Sequence, residues 1–201
     1  HLAPDDPNIL LQAAQMHIAM GQPVAAGKLI DRAIGADPDN AAVWALRGRS
    51  RFQSGEFPEA LADYHRALGL RPDDRQSLLE VAEVYRRLNR PQRALAALQT
   101  LSETYPPGEE TREVLYLTGL AYSATGRFVD AIDAFNQVRS RGRPTPDLLY
   151  WLADAQFKAG QPNEAQRTTA ELLALAPTHS GGVALVERLE IARSNVTAGY
   201  R

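Results

Sequence analysis

His1, His17, His65 and His179 are the only imidazoles in this chain, and there is no cysteine. Imidazole and thiolate are the usual metal donors and the usual neutral-pH bases and nucleophiles. Four histidines this scattered do not build a metal site. The lack of cysteine removes disulfides, thiolate ligation and a cysteine nucleophile together. No HExxH, glycine-rich phosphate loop or GxSxG is present. Paired carboxylates occur as Asp73–Asp74 and Glu109–Glu110, but between apolar-periodic segments, where they read as helix caps and solvated charge rather than an acid/base dyad. The sequence therefore predicts no catalytic residues, no cofactor and no metal. The chemistry left to it is recognition.

Composition bounds what could be recognised. The chain has 201 residues, 44% hydrophobic and 23% charged, which suits one or two globular domains or a single repeat array. A formal net charge of -2 supplies no global field for nucleic acid or an anionic membrane. No apolar run approaches the ~20 residues that span a bilayer, so membrane insertion is not expected. Usage rich in Ala, Arg and Pro suggests a bacterial source, with cytoplasm and periplasm both open as the compartment.

A twenty-residue plan recurs at GQPVAAGKLIDRAIGADPDN (21–40), GEFPEALADYHRALGLRPDD (55–74), NRPQRALAALQTLSETYPPG (89–108), GRFVDAIDAFNQVRSRGRPT (126–145) and GQPNEAQRTTAELLALAPTH (160–179). The opening Gly or Asn markers are spaced 34, 34, 37 and 34 residues apart, and each stretch carries an alanine at one offset: Ala26, Ala60, Ala94, Ala131, Ala165. A period of this length marks a stacked supersecondary unit. Segments before the markers, such as 41–54 and 112–125, also show helical apolar spacing. The unit is thus helix, Gly turn, helix, Pro-containing turn. Proline suits the first turn of the second helix, and Pro38, Pro72, Pro106 and Pro177 end it.

The pattern resembles the tetratricopeptide repeat: Trp-x2-Leu-Gly-x2-Tyr, then Ala-x3-Phe, then Pro, in about 34 residues. The second unit matches through Trp44, Gly48, Ala60, Tyr64 and Pro72, and the fourth through Leu115, Gly119, Tyr122, Ala131 and Phe135. The resemblance implies an all-α fold, a right-handed α-solenoid (superhelix) of five helix-turn-helix repeats plus a C-terminal capping helix. Repeats are expected at 7–40, 41–74, 75–108, 112–145 and 146–179, with an insertion at 109–111, a capping helix at 180–195 and a frayed tail at 196–201. Residues 1–6 read as the end of a preceding repeat, because Pro4 lies in phase with Pro38; a native lead-in carrying a leftover tag residue is the alternative. Asn195-Val-Thr matches a glycosylation acceptor. Arg47 and Arg51 replace the family's Leu and Tyr, and Gln156 and Thr169 replace aromatics, so looser packing is expected in units two and five. His17 stands where the family buries a tyrosine, which implies core packing.

The resemblance also implies that first helices line a concave groove and second helices form its convex back. Carried over by position, the partner-binding residues are Arg49 and Phe52; Glu83, Arg86 and Arg87; Tyr116 and Leu120; and Tyr150, Asp154 and Phe157. Leu11, Gln15, Ile18, Ala45, Leu79, Ser123 and Lys158 share those faces. Chaperone-tail binders of the family place Lys and Asn where this chain has Leu11, Gln15, Ala45 and Arg49, so that carboxylate clamp is not expected. Two assignments remain open for the face residues: a mixed aromatic and basic groove, or inter-repeat core beneath a solvated basic face. The three arginines of RSRGRPTP (139–146) are read as a solvated turn, with an acidic partner as the alternative. The function expected is a protein–protein interaction scaffold taking a peptide or protein surface. The alternatives are a recruiting or assembly module of a larger bacterial enzyme or envelope complex, and self-association through the groove or an end.

Overall fold

The computed structural model describes residues 6–198, with side chains to residue 194. Residues 1–5 and 199–201, and with them most of the expected lead-in and the end of the tail, lie outside the described residues, as does the Asn195 side chain. Among the described residues there are eleven helices and no strand: α1 (Pro7–Ala19), α2 (Pro23–Ala36), α3 (Ala41–Gln53), α4 (Phe57–Leu70), α5 (Arg75–Arg87), α6 (Pro91–Glu103), α7 (Arg112–Ala124), α8 (Phe128–Ser140), α9 (Pro146–Lys158), α10 (Pro162–Leu175) and α11 (Ser180–Ala198). The last helix continues three residues beyond the expected end at 195.

Each turn type follows from its residues. The markers Gly21, Gly55, Gly126 and Gly160 have φ between 70° and 81°, and Asn89 has φ 53°. That left-handed conformation costs an ordinary L-residue roughly 1–2 kcal/mol; Gly takes it freely and Asn comparatively well. It lets the next N–H reach back to the carbonyl five residues earlier, in Gln22 to His17, Glu56 to Arg51, Arg90 to Tyr85, Arg127 to Tyr122 and Gln161 to Gln156. First helices start on side-chain caps: Asp6, Asn40, Asp74, Thr111 and Thr145 each accept a backbone N–H of the first turn. Of the paired carboxylates expected to cap, Asp74 does so, whereas α7 is capped by Thr111 rather than by Glu109 or Glu110. Second helices have no side-chain cap and begin instead on Pro or Phe-Pro, with Phe128 the exception.

The helices divide into two compact units between residues 106 and 107. In the first, α3 approaches both α1 and α5 directly, and α2 and α4 each bridge to the next first helix. The second, α7 to α11, repeats this: α9 touches both α7 and α11, while α8 and α10 pack against α9 and α11. Among the described residues, no second helix packs closely on another second helix. Each unit therefore has a layer of adjacent first helices and a more open layer of second helices.

The five phased alanines are all buried. A Cβ at Gly48 would come within 2.9 Å of the Tyr64 ring, and one at Gly119 within 2.5 Å of Phe135. The small residues are what admit the large rings. Ala60, Tyr64, Val81, Val84 and Tyr85 form one core of the first unit, and Leu115, Phe135, Leu148 and Leu152 one of the second. Each such side chain contributes roughly 1.5–3 kcal/mol when fully buried.

Of the substitutions expected to loosen packing, Arg47, Arg51 and Thr169 are compensated in place and Gln156 is not. Asp63, 2% exposed, accepts Nε and Nη2 of Arg47 at 3.0 and 2.8 Å and Nη1 of Arg51 at 2.8 Å. An ion triad replaces the apolar pair, and the hydrogen bonds that Arg47 donates to Asp63 hold the Arg47 proton more tightly than usual. Thr169 donates to the Ala165 carbonyl. Gln156 is buried, and its Oε1 has no hydrogen-bond partner among the described residues. The longer turn before α7 is held by Arg141, which donates to the Gly108 and Glu110 carbonyls, while Arg139 pairs with Glu171. Arg139 and Arg141 of that basic turn thus serve the fold itself.

Candidate partner-binding site

In the first unit, α3 places Arg49 and Phe52 one turn apart, and α5 sets Glu80, Glu83, Arg86 and Arg87 beside them. Arg49 donates Nε to Glu80 Oε1 at 2.9 Å, and Gln76 donates to the same oxygen at 2.7 Å. Glu83 accepts Nε and Nη2 of Arg86 at 2.6 and 2.7 Å and Nε of Arg87 at 2.9 Å. Burial pushes the Glu83 carboxyl up, but the two guanidiniums outweigh it and hold the group below the usual carboxylate range. The Arg87 guanidinium lies 5.8 Å from the Phe52 ring centre, and Phe52 packs 5.6 Å from Phe57. Phe52, Glu83, Arg86 and Arg87 therefore come together, while Arg49 bonds Glu80 of the same helix α5. Behind them, burial and then the neighbouring Glu80 push the Tyr64 phenol well above its usual value.

The second unit is different. Tyr116 and Leu120 rest half-buried on the core, Tyr116 6.0 Å from Phe135. Tyr150 contacts α11: a Cβ at Gly181 would come within 2.5 Å of its ring, and His179 and Trp151 lie 5.3 and 5.0 Å away. Asp154 corrects the expectation of an open face residue. It is 3% exposed, taking Lys158 Nζ at 2.7 Å and Arg188 Nη1 at 3.1 Å. A carboxylate between two cations is drawn into the α9–α11 contact rather than presented to solvent. Phe157 packs on Ala153, Ala165, Leu185 and Leu189, with the Arg188 guanidinium 4.6 Å from its ring centre.

Sequence reasoning missed Glu80, Gln76 and Arg188. Arg188 lies one period, 34 residues, after its partner Asp154. That phase is the signal that would have found it. The three described histidines do not converge. His17 is half-buried and bonded to Gln22 rather than enclosed in the core, His65 meets the Tyr85 hydroxyl, and His179 accepts the Gly182 N–H at the start of α11. Among the described residues, no three His, Asp or Glu side chains are grouped as a metal cage requires, and no helix is long and apolar enough to cross a membrane.

Two family models, each for the tetratricopeptide repeat, match the sequence, one over residues 45–109 and 79–147 and the other over 1–49 and 122–189. The chain belongs to the tetratricopeptide repeat family. Its fold is that family's α-solenoid, and solved structures of other tetratricopeptide repeat proteins share it. YrrB, with an unusual peptide-binding site, is 17% identical with a TM-score of 0.82 over 91% of this chain and 93% of its own. MamA from Desulfovibrio magneticus RS-1 is 15% identical with a TM-score of 0.79 over 90% and 99%. PilW, a widely conserved type IV pilus biogenesis factor, is 20% identical with a TM-score of 0.75 over 96% and 89%. At these identities the likeness is one of fold. Among curated proteins, none matches the sequence.

Proposed function

We propose that this tetratricopeptide repeat protein is a protein–protein interaction scaffold whose ligand, a peptide or a protein surface, lies along the first-helix face of a unit. One observation carries the reading. In the first unit, Phe52, Glu83, Arg86 and Arg87 meet from two helices, and Arg49 joins the same helices through Glu80, giving a half-exposed strip of one aromatic ring and several ionic groups. Aromatic and arginine side chains are the types that dominate interface energetics. YrrB shows the same fold carrying a peptide-binding site. The alternative of an assembly module within a larger bacterial complex uses the same face, and PilW shows the fold serving pilus biogenesis.

Tyr150 and Phe157 are poor probes of this face, because both hold α9 against α11. Exposed positions test it better. A partner captured from the source cell and then purified should bind Gln15→Trp or Ala124→Trp, on first helices, about tenfold or more weakly. Gln99→Trp and Gln137→Trp, exposed on second helices, should bind it as the parent does. Titration by fluorescence anisotropy decides. If only the second-helix variants lose affinity, the assigned face is wrong.

A further inference from the structure

Both units carry the same device. In each, one shielded carboxylate serves two cations, and one of those cations lies over a half-buried phenylalanine. Glu83 serves Arg86 and Arg87, with Arg87 over Phe52. Asp154 serves Lys158 and Arg188, with Arg188 over Phe157. The two phenylalanines hold the same place in their helices, next to the last residue of α3 and of α9. The carboxylates are covered while the cations are not: Glu83 and Asp154 side chains are 22% and 4% exposed, Arg87 and Arg188 53% and 44%.

A guanidinium lying near a ring is steered by the ring face and keeps its remaining in-plane N–H donors for a partner. Arg87 gives Glu83 only its Nε, and Arg188 gives Asp154 only Nη1. We infer that the ligand is an acidic peptide segment, in which an Asp or Glu carboxylate is taken by Arg87 or Arg188 and an adjacent apolar side chain rests on Phe52 or Phe157. The inference depends on the first-helix face being the binding surface and adds the chemistry of what binds there. The overall charge of -2 would repel an acidic partner weakly, so selection is local, through Arg87 or Arg188.

Selection of random peptides displayed on phage against the full chain tests this. The enriched peptides should carry Asp or Glu beside Leu, Ile or Phe, and their synthetic forms should bind less tightly as NaCl is raised. Affinity should fall about tenfold for Arg87→Gln or for Arg188→Gln, according to the unit that holds the peptide, which is what losing one charged hydrogen bond amounts to. Arg188→Gln leaves buried Asp154 with Lys158 alone, so its melting is followed by circular dichroism. Arg87→Gln changes an exposed position, leaves Glu83 with Arg86, and keeps the test open should the other variant lose its fold. Enriched peptides without acidic residues, or acidic ones bound equally by both variants, overturn the chemistry while the scaffold reading stands. No enrichment by the parent chain overturns this inference together with the peptide form of that reading.

Discussion

At the scale of single residues, this protein is governed by where a Cβ or a charge can be put. Gly119 has no room: its missing Cβ would come within 2.5 Å of Phe135, a fully buried ring. Gly119→Ala should destabilise by about 1–3 kcal/mol through overpacking and lower the melting temperature by several degrees. Gly27, within α2, has nothing within 4 Å of the same virtual atom. Gly27→Ala should therefore stabilise, by up to about 1 kcal/mol, because alanine restricts the unfolded chain and favours helix. Thermal melts of the two variants moving in the same direction would refute the packing account. Charge is placed as strictly. Asp63→Ala leaves Arg47 and Arg51 facing a buried site with no carboxylate, at a cost of about 2–3 kcal/mol, because both arginines are partly exposed and recover some hydration. Replacing all three together, as Arg47→Leu, Arg51→Tyr and Asp63→Ala, restores the apolar types the family uses and should return to within about 1 kcal/mol of the parent. Urea midpoints measure both. A triple variant no better than Asp63→Ala would show that the arginines contribute by packing rather than by charge.

At the scale of helices and turns, the repeat was legible because every marker answers one backbone need. The period, the phased alanines and the Gly or Asn punctuation all report a left-handed residue followed by a second helix packed close on the first. Asn89 is the informative exception, since it holds the conformation that glycine holds at the other four markers. Asn89→Gly should leave stability nearly unchanged, within a few tenths of a kcal/mol, whereas Gly126→Ala should cost about 1 kcal/mol for a Cβ at positive φ. Equal losses in chemical denaturation would mean that the turns are set by something other than φ. What the pattern could not show is compensation between helices. Arg47 and Arg51 look like defects when read along one helix, and their partner Asp63 lies on the next, in a position that reads as exposed polar surface until the two are packed. Asp154 was misread for the same reason. Its phase fits the groove, but one of the two cations that close over it, Arg188, belongs to α11.

At the scale of the molecule, fold and site part company. The fold was readable because it repeats, so five weak signals add. The site was readable only by position, and position gives a helix face without saying which of its side chains are bound by neighbours. On the first unit's face Phe52, Glu83, Arg86 and Arg87 do meet, whereas on the second unit Tyr150 and Phe157 are committed to holding α11. The same logic bears on how much chain is needed to fold. A lone helix pair has an apolar face it cannot cover, and short helices are marginal in water by themselves. Each of the two units, by contrast, closes cores of its own: Leu10, Ile30 and Val43 in one cluster and Tyr64, Val81 and Val84 in another of the first unit, and Phe135 with Leu152, and Ala165 with Leu185, in the second. A fragment ending at Pro106 and one beginning at Pro107 should therefore each be helical and melt cooperatively. The single pair spanning 41–74 should be largely unfolded, because Val81 and Val84, which complete the core around Tyr64, are then missing. Circular dichroism of the three fragments decides the matter. Should the 41–74 pair prove as helical as the longer fragments, local propensity rather than stacking holds the helices. Should the first unit prove disordered when cut at Pro106, its stability depends on residues outside its own cores.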